Sequence, residues 1–119
     1  MDAQECLRLV REVVEVLPAF ARTSNRVLRD ALSSALVAKG FTVARDVPTR
    51  NGTLDIFATL DGAEVSIDVE TAEPGVRAAC KLWPLAGLKV IVLRRRSRRP
   101  HRGRYKPPGG LHAIIEAPE

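Results

Sequence analysis

Two β-branched-rich runs flank the dipeptide Asp61-Gly62, and this pattern constrains the fold more than any other in the chain. Thr53–Leu60 and Ala63–Thr71 alternate in polarity, and Asp-Gly is a favoured two-residue hairpin loop. A loop of that length sets the register. Leu60 falls opposite Ala63, and Asp55 falls opposite Asp68. Glu70, two residues on, shares their face. The opposite face carries Leu54, Ile56, Ala58, Val65, Ile67 and Val69, which reads as a core-facing set.

Like charges placed directly opposite one another destabilise a strand pair. Three acids on one face therefore need a reason. One is a hard divalent cation such as Mg²⁺, which takes carboxylate oxygens. Another is a raised pKa on one of the acids. An acidic outer face with no ligand is the alternative, since Phe57, Thr59, Glu64 and Ser66 are expected beside them.

The rest of the chain supplies elements around this hairpin. Cys6, Val10, Val13, Val14 and Leu17 recur at helical spacing over 3–17, and Pro18 ends the pattern. Residues 25–39 repeat it with Leu28, Ala31, Leu32, Ala35 and Leu36, and Gly40 suits the position after a helix end. Phe41, Val43 and Val47 suggest a strand, and 48–52 a turn. Residues 72–84 read as a short helix, with Trp83 packing at its end. Leu88–Leu93 is nearly all apolar, as a buried central strand would be. A helix between two such strands makes a right-handed crossover and a parallel pair. Leu111–Ala117 is expected as an edge strand.

The fold class is therefore α/β, a small mixed sheet flanked by helices. A chain of 119 residues suits one domain spanning 1–119. Its expected parts are an N-terminal helix and connection (1–24), a core (25–93), a basic loop (94–110) and a C-terminal edge strand (111–119).

Charge is distributed unevenly along the chain. Residues 1–93 carry 11 Lys and Arg against 12 Asp and Glu, and the remaining residues carry 8 against 2. The excess lies in Arg94, Arg95, Arg96, Arg98, Arg99, Arg102, Arg104 and Lys106. A concentrated, Arg-dominated run reads as a nucleic-acid contact. A solvated loop without a partner is the bland alternative. Tyr105 within the run could stack on a base.

Several classes are excluded by composition. Two cysteines, Cys6 and Cys80, are too few for a disulfide scaffold. His101 and His112 have no partners at zinc-ligand spacing, so no zinc site is expected. No apolar run reaches the roughly 18 residues of a membrane span. The acidic start (Asp2, Glu5) lacks the order of a signal peptide, so a cytoplasmic location is expected. No phosphate-binding loop, dinucleotide fingerprint or nucleophile elbow is present.

The segment GTLDIFATLDGAEVSIDVET (Gly52–Thr71), with a helix and KGF before it and a helix and LKVIVL after it, resembles the PD-(D/E)XK nuclease superfamily. The resemblance covers most of 25–93. It implies a restriction-endonuclease-like core of a helix, a three-strand antiparallel meander, a crossover helix and a parallel strand. It also implies a metal-dependent endonuclease that hydrolyses DNA phosphodiester bonds. Asp55 and Asp68 would hold Mg²⁺ or Mn²⁺, with Glu70 as the third catalytic residue. The substrate would be duplex or branched DNA, and a two-fold homodimer suits cutting of both strands.

The pattern departs from the family in three places. Glu70 stands where the family has lysine, with Lys81 on the following helix as a candidate replacement. Leu54 stands where the family has proline. The family's helix glutamate has no clean match among Asn25, Arg29 and Asp30. These departures keep a second reading open, a catalytically inactive nuclease-like module that binds nucleic acid or protein. A third is an unrelated fold whose only functional part is the Arg-rich loop.

Overall fold

The computed structural model describes residues 1–18, 24–70, 81–93 and 113–117. Among these residues two helices, α1 (Ala3–Glu15) and α2 (Asn25–Lys39), precede five strands. These are β1 (Thr42–Thr49), β2 (Gly52–Leu60), β3 (Ala63–Glu70), β4 (Leu88–Leu93) and β5 (Ala113–Glu116). They form one sheet in the order β1-β2-β3-β4-β5. The β1–β2 and β2–β3 pairs are antiparallel, and β3–β4 and β4–β5 are parallel. The molecule is thus an α/β domain with a mixed sheet.

Local chemistry explains the helix ends. Asp2 accepts a hydrogen bond from the Glu5 amide at 2.8 Å, which satisfies one orphan donor of α1. The Ser24 hydroxyl does the same for α2, accepting from the Val27 amide at 3.3 Å. Gly40 ends α2 at φ 110°, a conformation that costs glycine little.

Both helices pack on one face of the sheet. Cys6, Val10, Val13 and Val14 of α1 and Leu28, Leu32 and Leu36 of α2 meet Ile56, Ala58, Val65, Ile67, Val90 and Val92. Each helical stripe expected from the sequence faces the core, with Ala31 and Ala35 of α2 half-buried at its margin. A second, smaller cluster lies on the opposite face. Its buried members are Leu54, Leu82 and Ile91, with Val47, Phe57, Leu85 and Ile114 packed against them. β4 is buried on both faces, as its apolar sequence predicts.

Three expectations are corrected. Pro48 and Thr49 belong to β1 rather than to a turn, leaving only Arg50 and Asn51 between strands. β1 is an edge strand, where proline is tolerated. The Thr49 hydroxyl closes the turn, donating to the Gly52 carbonyl and accepting from the Asn51 amide.

Leu54 does not share the core of Ile56 and Ala58. The β1–β2 ladder is interrupted at one position, where Asp46 faces Asp55, and resumes beyond it in the same register. Asp46 adopts φ 52° there. Val43 and Ala58 pack on the helical face, whereas Val47 and Leu54 pack on the other. The two strands turn over together at this point.

Trp83, expected to pack at a helix end, is 61% exposed. Leu82 takes the buried position instead, at 1%. The helix expected over 72–84 is described only from Lys81, where Lys81 and Leu82 are helical.

Candidate active site

The site forms where the β2–β3 hairpin stops being a regular ladder. From the Asp61-Gly62 turn, backbone pairing runs through Leu60↔Ala63 to Ile56↔Ile67, the register that a two-residue loop dictates. At the next position the carboxylates take over. The Asp55 amide donates to Asp68 Oδ1 at 3.2 Å. The Val69 amide donates to Asp55 Oδ2 at 2.8 Å. On its other side β3 pairs with β4 from Val65↔Leu88 to Glu70↔Leu93, so this pairing continues past the point where the β2–β3 ladder ends. Asp55 and Asp68 thus meet as the sequence predicts, but side chain to backbone.

Each carboxylate has one oxygen held by a backbone amide and the other facing a side-chain cation. Arg29 Nη1 of α2 lies 3.1 Å from Asp55 Oδ1 and 3.9 Å from Asp46 Oδ1. Lys81 Nζ lies 2.8 Å from Asp68 Oδ2. The charges alternate from Asp46 through Arg29 to Asp55, and then from Asp68 to Lys81.

Burial makes this arrangement consequential. Asp68 has no exposed surface, and the Asp55 side chain is 15% exposed. Removal from water pushes the Asp68 carboxyl above the usual carboxylate range, with the Lys81 ammonium opposing the shift. Glu70 is half-buried, and its carboxyl is also pushed up, first by burial and then by the negative charge of Asp68. The three acids therefore sense one another, with Asp68 at the centre.

Lys81 reaches the site past a glycine. Gly52 opens β2 at φ 133°, and a Cβ placed there would stand 3.4 Å from Lys81 Cε. The lysine stem thus lies in ordinary contact range of the Gly52 backbone. Leu82, anchored beside Leu54 and Ile91, holds the segment against the sheet.

The donor chemistry fits a hard divalent cation in one respect. Asp55 Oδ1 and Asp68 Oδ2 are both carboxylate oxygens on side chains already oriented by backbone amides. Asp68 Oδ2 is buried and receives no well-aligned hydrogen bond, with the Lys81 ammonium as its countercharge. Among the described residues, no group of three His, Cys, Asp or Glu side chains stands ready to ligate a metal. A cation held there would use the two aspartates and complete its shell with water.

Asp30 is exposed and pairs with Arg45 rather than with a residue of the acid cluster. Arg94, Arg95, Arg96, Arg98, Arg99, Arg102, Arg104 and Lys106 lie outside the described residues, as do Cys80, His101, Tyr105 and His112. Asp46 and Gly52 were not legible as site residues, and Arg29 entered only as one of three positions where the family's helix glutamate has no clean match. One signal for Arg29 exists in hindsight. Asn25, Arg29 and Ser33 form a polar row at spacing four along the border of the apolar stripe of α2. Ser33 is buried, and Arg29 is partly so. No family model, curated protein or solved structure matches the chain.

Proposed function

We propose that the chain is a metal-dependent endonuclease that hydrolyses DNA phosphodiester bonds on a restriction-endonuclease-like core. One observation carries this reading. Two aspartates meet at the opening of a β-hairpin, and a lysine from the segment leading into β4 stands 2.8 Å from the more buried of them. Lysine is the group that the sequence lacks at Glu70, and Lys81 brings its charge from elsewhere in the chain.

Mg²⁺ or Mn²⁺ bound between Asp55 and Asp68 would polarise the scissile phosphate and lower the pKa of a bound water. The chain's own residues do the rest. Backbone amides of Asp55 and Val69 hold one oxygen of each carboxylate, so both side chains are oriented in advance. Lys81 orients the attacking water or steadies charge on the phosphate. Glu70, with its raised carboxyl pKa, accepts a proton more readily than an ordinary glutamate. The Arg94–Lys106 run holds the phosphate backbone without reading sequence, so binding weakens steeply with salt. A cytoplasmic two-fold dimer acting on duplex or branched DNA is the form this reading favours.

A second reading has its own observation. Arg29 and Lys81 already neutralise both aspartates, as in a module that keeps the fold and has lost catalysis. Cleavage of supercoiled plasmid and of a branched DNA decides between them. With Mg²⁺ or Mn²⁺ the wild type cuts and Asp55→Ala does not. Lys81→Met lowers the rate by about 10²-fold or more, the scale of a lost proton-transfer or water-orienting group. No cutting by the wild type, with salt-sensitive DNA binding intact, establishes the binding module instead.

A further inference from the structure

Arg29 and Lys81 engage the two aspartates in different ways. Among the described residues, Lys81 pairs only with Asp68 Oδ2, an oxygen with no exposed surface. Arg29 divides one nitrogen between two carboxylates, Asp55 Oδ1 at 3.1 Å and Asp46 Oδ1 at 3.9 Å. The Asp46 side chain is 65% exposed, so the guanidinium sits between a buried anion and a solvated one. Arg29 Nε is buried without a hydrogen-bond partner, so one arm of the donor fork is unused. Buried donors are rarely left so, and an incoming acceptor is one way to satisfy this one.

Asp55 holds its two oxygens unequally. Oδ2 is tied to the Val69 amide at 2.8 Å and cannot leave without stranding that backbone donor. Among the described residues, Oδ1 is tied only to the Arg29 side chain, which can rotate away. A guanidinium and a divalent cation repel each other and compete for that oxygen. A planar fork released from Asp55 matches a phosphate, which it can bind through two parallel hydrogen bonds.

We infer that Arg29 is an exchangeable cation, holding Asp55 Oδ1 in the free protein and moving to a nucleic-acid phosphate when a divalent cation takes that oxygen. The inference rests on the nuclease reading and adds regulation to the same site. Metal and nucleic acid then bind cooperatively, because each removes the obstacle to the other, and the coupling is reciprocal. Free protein holds metal weakly, and chemistry is confined to the ternary complex.

The test is the Mn²⁺ affinity of the full chain, followed by titration calorimetry and by the electron paramagnetic resonance of free Mn²⁺. Wild type, Arg29→Gln and Arg29→Lys are compared, each alone and with a phosphorothioate duplex, with duplex alone as the control. Arg29→Gln raises the Mn²⁺ affinity of the free chain about tenfold, the low end of what a neighbouring charge does to a carboxylate's affinity for a proton. The further gain on adding duplex, present in wild type, shrinks in the variant. Arg29→Lys keeps the charge on a shorter, unforked side chain and gives a smaller rise of the same sign. It carries the test should Arg29→Gln not fold, as judged by its melting curve. Mn²⁺ affinity that is unchanged or lowered in both variants overturns the inference and leaves the nuclease reading standing. Absence of Mn²⁺ binding in every protein, with and without duplex, overturns both.

Discussion

The two ends of the β2–β3 hairpin solve the same pairing problem with different chemistry. At the turn end, five residue pairs from Leu60↔Ala63 to Ile56↔Ile67 form a regular antiparallel backbone ladder over an apolar face. At the open end, carboxylate oxygens of Asp55 and Asp68 accept the amide protons instead. The first end is held by burial of Ile56, Ala58, Val65 and Ile67 under the helices. The second is held by charge, with Arg29 and Lys81 as counter-ions. Burial is strong, non-directional and indifferent to pH. Charge is conditional, and that is what a site exchanging one cation for another requires.

Truncation at the turn end should show the larger effect. Ile67 has no exposed surface and packs between helices and sheet. Ile67→Ala removes buried methyl groups and leaves a cavity, at a cost of about 2–5 kcal/mol. Urea denaturation reads this loss, which should stay nearly constant between pH 5 and pH 8. A loss that varied strongly with pH would break the distinction between the two ends.

Lys81→Met should cost less, about 1–3 kcal/mol at neutral pH, because it strips a buried carboxylate of its countercharge. Two things limit the cost. The lysine side chain is 18% exposed, so part of its charge is already solvated, and Asp68 can take up a proton once the ammonium is gone. The penalty should shrink at pH 5, where protonation is easier. Equal penalties at pH 5 and pH 8 would mean that the lysine stabilises through its stem against Gly52 rather than through its charge.

The same contrast governs what could be read from the sequence. The turn end was legible because Asp61-Gly62 leaves one register, and Asp61 and Gly62 adopt the positive φ values of 48° and 80° that such a turn uses. The meeting of Asp55 with Asp68 followed by counting along two strands. The face of Leu54 did not follow, because alternation holds only while the ladder is regular. Asp46 breaks it at φ 52°, a conformation aspartate tolerates and no spacing rule announces. Arg29 was harder still. Its contact with Asp55 spans 26 residues and depends on how α2 lies across the sheet. Lys81 could be named as a nearby cation, whereas its distance to Asp68 could not. Trp83 misled for a simpler reason. A large apolar side chain at a helix end is usually packed, and here Leu82 already fills the space against Leu54 and Ile91.

The smallest effect, read as a slope rather than an offset, tests whether the open end is limited by its charge. Burial raises the carboxyl pKa of both Asp68 and Glu70, so the folded chain holds these protons more tightly than the unfolded chain does. Stability from such groups is fully present below the unfolded carboxylate pKa, about 4. It is lost as the pH rises through the folded values. Between pH 4 and neutrality, these two groups therefore pull the melting temperature down as the pH increases. Asp68→Asn removes the largest buried charge while keeping an oxygen for the Asp55 amide, so the variant's melting temperature should fall less steeply over that range. The difference between wild type and variant should consequently change in the variant's favour as the pH rises. A difference that moved the other way would show that the ammonium of Lys81 more than repays the burial of Asp68. The open end would then be a stabilising ion pair, with little incentive to release either cation.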